Sequence, residues 1–253
     1  MSRTEKLRPF PMGVSLSHDK VTAGTAGCIV VDHQGQEYIL SNNHVLANSN
    51  LGEIGDSILQ PGTYDGGTVE DTIGILADFV EIKFPDSSDC QVSNAIISLL
   101  NLVSRLFLRK TRFYTKIDEL PMNEVDCAIA RPTSQDIYTP EILEIGHIKG
   151  SAKAKEGETV KKSGRTTGLT TGVIIDDDAT IEISYGYRKT RFFNQILIQG
   201  KRFIQGGDSG SVLVNEDGYV VGLCFAGSGE GNLGIANHAY RVEELLEIRI
   251  KPN

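Results

Sequence analysis

The sequence predicts an all-β fold, arranged as a barrel or a sandwich. Short apolar runs rich in β-branched residues alternate with turn residues at short, regular intervals, and this spacing is typical of both architectures. The chain contains 27 glycines, which favour a turn-rich β protein over a helical one. With 253 residues, it has the length for one large all-β domain or two small ones.

The predicted strands can be followed in order along the chain. The first pair is a hairpin, in which the run AGCIVV, a turn at DHQGQ and the strand EYIL succeed one another. GTVEDTIGILADFVEIKF has the same strand character, and VDCAIARP is predicted to be a short buried strand. After a polar, proline-containing stretch at 131–146, further strands are expected at ETVKKSG, LTTGVIIDDDATIEISYG, RFFNQILIQG, GSVLVNEDGYVVGLCFAG and NLGIANHAY.

Two segments are predicted to be helical. Between residues 92 and 110 the apolar residues recur at helical spacing, with Asp89 or Ser93 available as an N-cap and basic residues near the end. The apolar face of such a helix should pack on the protein or on a second copy of it, because so large a stripe is unfavourable in water. The C-terminal stretch AYRVEELLEIRIK is also helix-like.

Charge and hydropathy indicate which classes of binding partner the protein lacks. The formal net charge is −8 and no basic stretch is visible, which argues against a nucleic-acid or anionic-membrane binder. The longest apolar run, residues 95–108, is too short and too interrupted to span a bilayer. The N-terminus lacks an apolar signal region, so we expect a cytoplasmic protein.

No metal or cofactor is expected from the sequence. The four cysteines form no CxxC pair, so a zinc site has no support, and we expect reduced thiols. The acidic run 176–178 suggests calcium only weakly. Three adjacent carboxylates between two strand signals are more often a solvated hairpin tip, because ordered ligand spacing is missing.

The stretch FIQGGDSGSVLV at 203–214 carries the first sign of chemistry. A serine nucleophile needs an exposed hydroxyl, and backbone N–H groups must point at the oxyanion that forms. The turn GDSG provides both if the N–H groups of Gly207 and Ser209 converge, because its glycines permit the necessary backbone bend. By itself, the same stretch is also compatible with a glycine-rich hairpin.

A serine nucleophile also needs a base and a carboxylate that orients the base. His44 follows the apolar strand YIL after the small polar residues SNN, which suit a turn that lifts an imidazole out of a sheet. Asp126 opens the apolar strand CAIA, where an unpaired charge would be costly. Alone, His44 is compatible with a structural histidine and Asp126 with a turn or cap residue. The other candidate carboxylates, none leading into a comparable strand, are Asp71, Asp78 and Asp118.

Together these motifs resemble the chymotrypsin-fold, or trypsin-like, serine peptidases. Members of that family carry His, Asp and Ser in this order, with a GDSG turn at the nucleophile. LSNNHVL resembles the histidine motif, VDCAIARP the aspartate strand, VKKSGRTTGLTTGVI the first hairpin of the second barrel, and GLCFAGS the strand that binds extended substrate. SNNHVLAN and GRTTGLT are most like the bacterial, disulfide-free members without a signal peptide.

The resemblance implies two packed six-stranded antiparallel barrels with the catalytic triad in the cleft between them. It divides the chain into an N-terminal extension (1–19), a first barrel with the helical insertion (20–135), and a second barrel with a C-terminal helix (136–253). Secreted animal members join a strand cysteine to the residue after the catalytic histidine. That residue is Val45 here, which supports an intracellular, disulfide-free protein.

The resemblance further implies a serine endopeptidase that acts on polypeptides through an acyl-enzyme. His44, Asp126 and Ser209 would be catalytic. By position, Phe203 would lie at the base of the pocket for the side chain preceding the cut bond, with Phe225, Ala226 and Gly227 forming a wall. We expect an uncharged pocket that takes small or medium apolar side chains. A catalytically silent peptide-binding module, or a protease restricted to itself or one partner, would carry the same motifs.

Overall fold

The computed structural model describes residues 2–85, 91–106, 120–186 and 188–253, and the chain forms two curled β-sheets. The first is eight-stranded and the second seven-stranded, and two further strands form a separate pair. The strands are β1 (Phe10–Met12), β2 (Ser15–His18), β3 (Gly24–Thr25), β4 (Ile29–Asp32), β5 (Glu37–Ser41), β6 (Ser57–Leu59), β7 (Thr72–Phe79), β8 (Met122–Asn123), β9 (Ala128–Pro132), β10 (Tyr138–Ile142), β11 (Thr159–Gly164), β12 (Gly168–Tyr185), β13 (Arg188–Gln199), β14 (Val212–Asn215), β15 (Val220–Gly227), β16 (Leu233–His238) and β17 (Ile248–Ile250).

Three α-helices lie among the described residues. They are α1 (Asn43–Leu46), α2 (Gln91–Leu106) and α3 (Ala239–Leu245). Among these residues, no helix is long and apolar enough to cross a bilayer.

The second sheet closes on itself into a barrel. Its strand order is β12-β11-β14-β15-β16-β13, and β13 pairs again with β12. All pairings of this ring are antiparallel, and closure leaves these six strands no free edge in the ring. The first sheet runs β17-β4-β5-β9-β7-β6-β2-β3. The prediction of two chymotrypsin-like antiparallel barrels is therefore confirmed.

The buried side chains of the strands show where the core lies. Val160 and Lys162 of β11 point into the second barrel, and residues such as Ile39 and Leu40 are buried within the first. The largest apolar cluster fills the first barrel and continues into the second through residues such as Val212 and Leu223, a second cluster lies within the second barrel, and a third, smaller cluster lies beside the groove. Since a fully buried Leu or Ile contributes about 1.5–3 kcal/mol, these clusters stabilise the barrels and also the packing between them.

The hairpin of β12 and β13 is longer than the sequence suggested. The acidic run 176–178, expected at a hairpin tip, lies inside β12, where the pairing with β13 is interrupted by register shifts. These bulges accommodate extra residues without ending the strand. The tip instead follows Tyr185, so the hairpin extends well beyond the body of the barrel.

The inserted helix predicted at 92–110 is present as α2, between β7 and β9 in the chain. Residues 107–110 and the candidate cap Asp89 lie outside the described residues. Among described side chains, the apolar positions Ile96, Leu99 and Leu102 are exposed, Leu99 to 60%.

The C-terminal helix is shorter than the sequence suggested. α3 ends at Leu245, Glu247 takes a positive φ of 53°, and Ile248–Ile250 then pair with β4 as β17. The period-two alternation of IRI explains this change, because Ile248 and Ile250 are buried while Arg249 is exposed. Within the proposed extension 1–19, β1 pairs with β10 and β2 with β6.

Direct polar contacts join the two barrels. Arg165, in the turn between β11 and β12, binds Asp65 of the first barrel through two hydrogen bonds, one of them 2.8 Å from Nε to Oδ2. Burial by itself raises the pKa of Asp65, but hydrogen bonds from Arg165 and Ser15 outweigh it, so the pKa lies below its ordinary value. Such a bidentate pair restricts relative orientation as well as distance.

Candidate active site

A groove of about 860 Å³ runs between the barrels. His44 of the first barrel and Ser209 of the second both line it. Most of the remaining lining is apolar and comes from the β12–β13 hairpin, β15, β16 and the segment that precedes Ser209. It includes Ile183, Leu197, Ile204, Phe225 and Ile235. A concave, largely apolar groove with a few convergent polar groups is the usual setting of a binding or catalytic site.

His44 lies on α1, a single helical turn that follows β5. Asn42 precedes this turn with extended backbone, and its side-chain Nδ2 donates to the backbone oxygen of Asp126 at 2.7 Å. The preceding strand β5 pairs with β9, whose start lies next to Asp126. The strand pairing and the amide contact therefore bring His44 and Asp126 together although they are distant in sequence.

An asparagine pair fixes the other side of α1. Asn43 Nδ2 donates to Asn50 Oδ1 at 2.7 Å, and the backbone N–H of Asn50 donates to Asn43 Oδ1 at 3.0 Å. Residues 48–50 all have positive φ angles of 49–74°, a conformation that asparagine tolerates better than most residues. Asn50 also pairs with the backbone of Ile82, which ties the helix to that segment.

The carboxylate of Asp126 is fully buried and accepts three hydrogen bonds. His44 Nδ1 lies 2.6 Å from Oδ2, and the backbone N–H of His44 donates to Oδ1 at 3.2 Å. The hydroxyl of Tyr185 donates to Oδ2 at 2.6 Å. Because a carboxylate accepts only, this arrangement assigns the proton to Nδ1 and leaves Nε2 of His44 as a hydrogen-bond acceptor.

The peptide of Asp126 is also held from the second barrel. Its N–H donates to Asn237 Oδ1 at 3.1 Å, and its carbonyl accepts from Asn237 Nδ2 at 3.1 Å. Asn237 lies on β16 and is fully buried. The aspartate is thus fixed by both barrels through its backbone as well as its side chain.

Ser209 occupies a tight turn before β14. Gly207 and Gly210 have φ angles of +96° and +94°, which glycine adopts without strain. A Cβ on Gly210 would also lie 2.0 Å from Ser41 Oγ. Thr25 of the first barrel holds the turn, since its N–H donates to Ser209 O and its hydroxyl to Gly207 O, both at 2.8 Å.

The backbone N–H groups of Gly207 and Ser209 are available to a ligand. No hydrogen-bond acceptor for either group is found in the described part of the chain. The Ser209 hydroxyl donates to the carbonyl of Phe225 at 3.3 Å, a long contact that rotation of the side chain can release. Ser209 therefore lines the groove, and the turn carries two backbone N–H groups that no acceptor among the described residues occupies.

A buried charge fixes the turn from behind. Asp208 is fully buried; Oδ1 accepts the N–H groups of Thr166 and Thr167, and Oδ2 accepts that of Gln205. Lys162 Nζ lies 3.4 Å from Oδ2 and is also fully buried. Burial lowers the pKa of Lys162, against the opposing charge of Asp208. An unpaired carboxylate here would be costly, so Lys162 compensates the charge that holds the turn.

The predicted substrate contacts divide into two groups. Phe225, Ala226 and Gly227 line the groove. Phe203 does not line it but is fully buried in the apolar cluster of the second barrel, with its ring against Gly234. Ile204 lines the groove instead. Because successive strand-like residues point in opposite directions, a shift of one residue exchanges which side chain faces the groove.

Sequence reasoning missed Tyr185, Asn237 and Lys162. Tyr185 and Asn237 lie in strand-like runs that contain no local motif, and only long-range packing brings them to Asp126. Lys162 did have a signal, because it stands two residues after Val160 in a strand and therefore shares its inward face. Within the described residues, no cluster of three or more His, Cys, Asp or Glu side chains could hold a metal ion.

Comparison with known proteins agrees with this geometry. The family profile of the trypsin-like peptidase domain matches residues 24–223, well over half of the chain. The chain belongs to the trypsin-like peptidase family. It is therefore a trypsin-like serine peptidase, a hydrolase that acts on polypeptides. No curated protein sequence matches the chain.

Solved structures support the fold. Protease A of Thermobifida fusca is 15% identical, with a TM-score of 0.59 and coverage of 98% of this chain and 99% of that one. The Nocardiopsis protease NAPase is 15% identical, with a TM-score of 0.58 and coverage of 97% and 98%. Cellulomonas bogoriensis chymotrypsin is 15% identical, with a TM-score of 0.58 and coverage of 96% and 100%. At this identity the likeness concerns the fold alone.

Lys162→Met should destabilise this trypsin-like peptidase and disorder the turn before Ser209. The change leaves the buried Asp208 carboxylate without its cation, which typically costs about 3–5 kcal/mol. Lys161→Met is the matched control, because Lys161 is the neighbouring residue and is only half-buried. Thermal denaturation of both variants tests this. Equal melting temperatures for the two variants would contradict a compensating role for Lys162.

Proposed function

We propose that His44, Asp126 and Ser209 form the catalytic triad and that hydrolysis passes through an acyl-enzyme. The observation that supports this most is the 2.6 Å contact between His44 Nδ1 and Asp126 Oδ2, on the groove that Ser209 also lines. The free N–H groups of Gly207 and Ser209 add an oxyanion site to the same turn.

In this mechanism the Ser209 hydroxyl turns from Phe225 O to His44 Nε2. His44 takes the hydroxyl proton as Oγ attacks the peptide carbonyl, and the oxyanion accepts hydrogen bonds from Gly207 and Ser209 N–H. His44 then gives the proton to the leaving amine as the C–N bond breaks. A water molecule then gives a proton to His44 as its oxygen attacks the acyl carbonyl, and the C–Oγ bond breaks while His44 returns that proton to Ser209 Oγ, which releases the acid and the free serine. Asp126 stabilises the imidazolium throughout without taking its proton.

Ser209→Ala should abolish labelling by a fluorophosphonate and reduce kcat by roughly 10⁶-fold, because triad members act as a unit.

Asp126→Asn should retain the fold and reduce kcat by roughly 10⁴-fold, because the amide favours the wrong imidazole tautomer. Intact-mass spectrometry after labelling, together with peptide hydrolysis, measures both.

Asp78→Asn is the control for the carboxylate, because Asp78 lies on β7 and outside the groove. A larger loss for Asp78→Asn than for Asp126→Asn would show that Asp126 is not the carboxylate. A wild-type protein that binds peptide but resists the label would instead favour a catalytically silent module.

We propose further that the enzyme cuts after small or medium apolar side chains. The groove surface is built largely from residues such as Ile204, Leu233 and Ile235, and Phe203 is fully buried in the apolar cluster of the second barrel. Its one carboxylate among the described lining residues, Glu182, lies 2.9 Å from Lys189, and both side chains are exposed. A basic substrate side chain therefore lacks a buried partner.

A peptide-library cleavage profile should show Ala, Val or Leu before the cut bond. Preferences among them should be mild, because one methylene changes the binding free energy by only about 1–3 kcal/mol. Dominant cleavage after Arg, Lys or Glu would contradict the apolar pocket. Glu182→Gln serves as the matched variant, because loss of Arg or Lys cleavage in it would identify Glu182 as the selecting charge.

We also propose that α2 mediates a homo-oligomer. Its apolar positions Ile96, Leu99, Leu102 and Val103 recur at helical spacing and are exposed in the single chain. Burying each Leu or Ile side chain would contribute about 1.5–3 kcal/mol. A second copy could contribute the same stripe, so that the two helices would cover each other.

Leu99→Asp should reduce the oligomeric state, because a charge in the shared stripe is costly to bury. Ser98→Asp is the control, because Ser98 is exposed and lies beside the stripe. Sedimentation of both variants and of the wild type measures the change. An unchanged melting temperature together with an unchanged elution volume for Leu99→Asp would contradict the proposal.

We also propose that the protein is cytoplasmic, because its described cysteines are not joined in disulfides. Cys28, Cys127 and Cys224 are buried and unpaired, and burial raises the pKa of the Cys224 thiol to about 12. Separate reduced thiols are usual where the redox environment is reducing. Recovery of the native protein from a secreted or periplasmic fraction would contradict this location.

A further inference from the structure

The triad carboxylate has a hydrogen-bond donor beyond the histidine. Tyr185 is the last residue of β12, at the tip of the long hairpin of the second barrel. Its hydroxyl lies 2.6 Å from Asp126 Oδ2, the same oxygen that His44 Nδ1 approaches at 2.6 Å. Two donors therefore share one carboxylate oxygen, one from each barrel.

The direction of the tyrosine bond is fixed by chemistry. Asp126 is fully buried, and as a carboxylate it accepts hydrogen bonds only, so the phenol donates. Burial raises the pKa of Tyr185 well above its ordinary value, and the charge of Asp126 raises it further. The hydroxyl consequently remains protonated over the whole pH range in which a histidine titrates.

Packing fixes the position of this hydroxyl. The Tyr185 ring meets Phe84 of the first barrel edge to face, with centroids 5.6 Å apart at 83°, and lies 6.2 Å from Phe192 of β13. Arg188 begins β13, the other strand of the hairpin, and its guanidinium lies 3.7 Å from the centroid of the Phe84 ring. The ring edge also contacts His44, with centroids 5.8 Å apart.

We propose that Tyr185 is a positioning residue of the triad. It holds the Asp126 carboxylate in the plane that His44 requires, and by sharing the charge on Oδ2 it sets the basicity of the imidazole. The proposal rests on the catalytic triad proposed above. It assigns the orientation of the Asp126 carboxylate to a residue at the tip of the β12–β13 hairpin.

The other ionisable groups near His44 and Asp126 are retained when the Tyr185 hydroxyl is removed. The Cys127 thiol follows Asp126 and is buried, and burial followed by the Asp126 charge raises its pKa. Glu182 on the groove is paired with Lys189, and Arg188 lies over Phe84. Ser209 lines the same groove as His44. None of these contacts involves the Tyr185 oxygen.

Tyr185→Phe removes only that oxygen and retains the ring that packs on Phe84 and Phe192. With one donor fewer, the charge on Asp126 is less dispersed and attracts the imidazolium more strongly. The His44 imidazole should therefore titrate at a higher pH than in the wild type. The carboxylate is also less restrained, so kcat should fall about tenfold, as expected for loss of a hydrogen bond to a charged group.

Tyr138→Phe is the matched control. The Tyr138 hydroxyl also donates to a carboxylate, Glu37, but the pair joins β10 and β5 away from the groove. A purely structural effect of losing a tyrosine–carboxylate bond should appear in both variants. A shift in the His44 titration should appear only in Tyr185→Phe.

The experiment follows the His44 ring by NMR titration in the full-length wild type, Tyr185→Phe and Tyr138→Phe, with His44→Gln for assignment. Peptide hydrolysis gives the acid limb of kcat/KM and the separate values of kcat and KM. We expect Tyr185→Phe to raise the midpoint of both the titration and the acid limb by about half a pH unit or more, a difference of about 0.7 kcal/mol, with KM changed less than about twofold. Tyr138→Phe should match the wild type.

A midpoint in Tyr185→Phe that is unchanged, lower, or equal to that of Tyr138→Phe overturns the proposal, even if kcat falls. The titration does not depend on turnover. A wild type that hydrolyses no peptide and takes no fluorophosphonate would therefore refute the proposed function, while the His44 midpoints would still decide the role of Tyr185.

Discussion

The buried carboxylate of Asp126 is the constraint on which the groove depends. A charge that is taken out of water must be matched by hydrogen-bond donors, and no single barrel provides them all. His44 comes from the first barrel and Tyr185 from the second, and Asn237 of the second barrel holds the peptide of Asp126. The barrels must therefore dock in one orientation for Asp126 to be satisfied, and that same orientation brings His44 and Ser209 onto one groove. Folding stability and the geometry of the site are consequently linked.

A second buried carboxylate fixes the other half of the site in the same way. Asp208 takes its donors from the 162–167 region of the second barrel, and the turn it anchors is bonded to Thr25 of the first barrel. The Arg165–Asp65 pair adds a bridge between the barrels at the edge of this network. These contacts order the turn from within the chain, so its conformation does not depend on a bound ligand.

The sequence predicted well where the signal is local. Local patterns predicted the special backbone of the GDSG turn and of the SNNH segment, and the charge of Asp126 at the start of a buried strand. The repeated short strands predicted a barrel or a sandwich. Prediction failed where two local readings were equally good. The acidic run 176–178 suits a turn as well as a bulge, and IRI continues a helical pattern as well as it starts a strand, so pairing with β13 and β4 decided these cases.

By itself, the sequence determined the all-β fold class and the candidate nucleophile and base. These follow from periodicity and from glycine, which act over a few residues. Only the tertiary structure placed Tyr185 and Asn237 on Asp126, Lys162 on Asp208, and Ile204 rather than Phe203 on the groove surface. Those contacts join residues that are distant along the chain. Their energies depend on burial and on distances of about 3 Å, and neither quantity exists until the barrels have closed and docked.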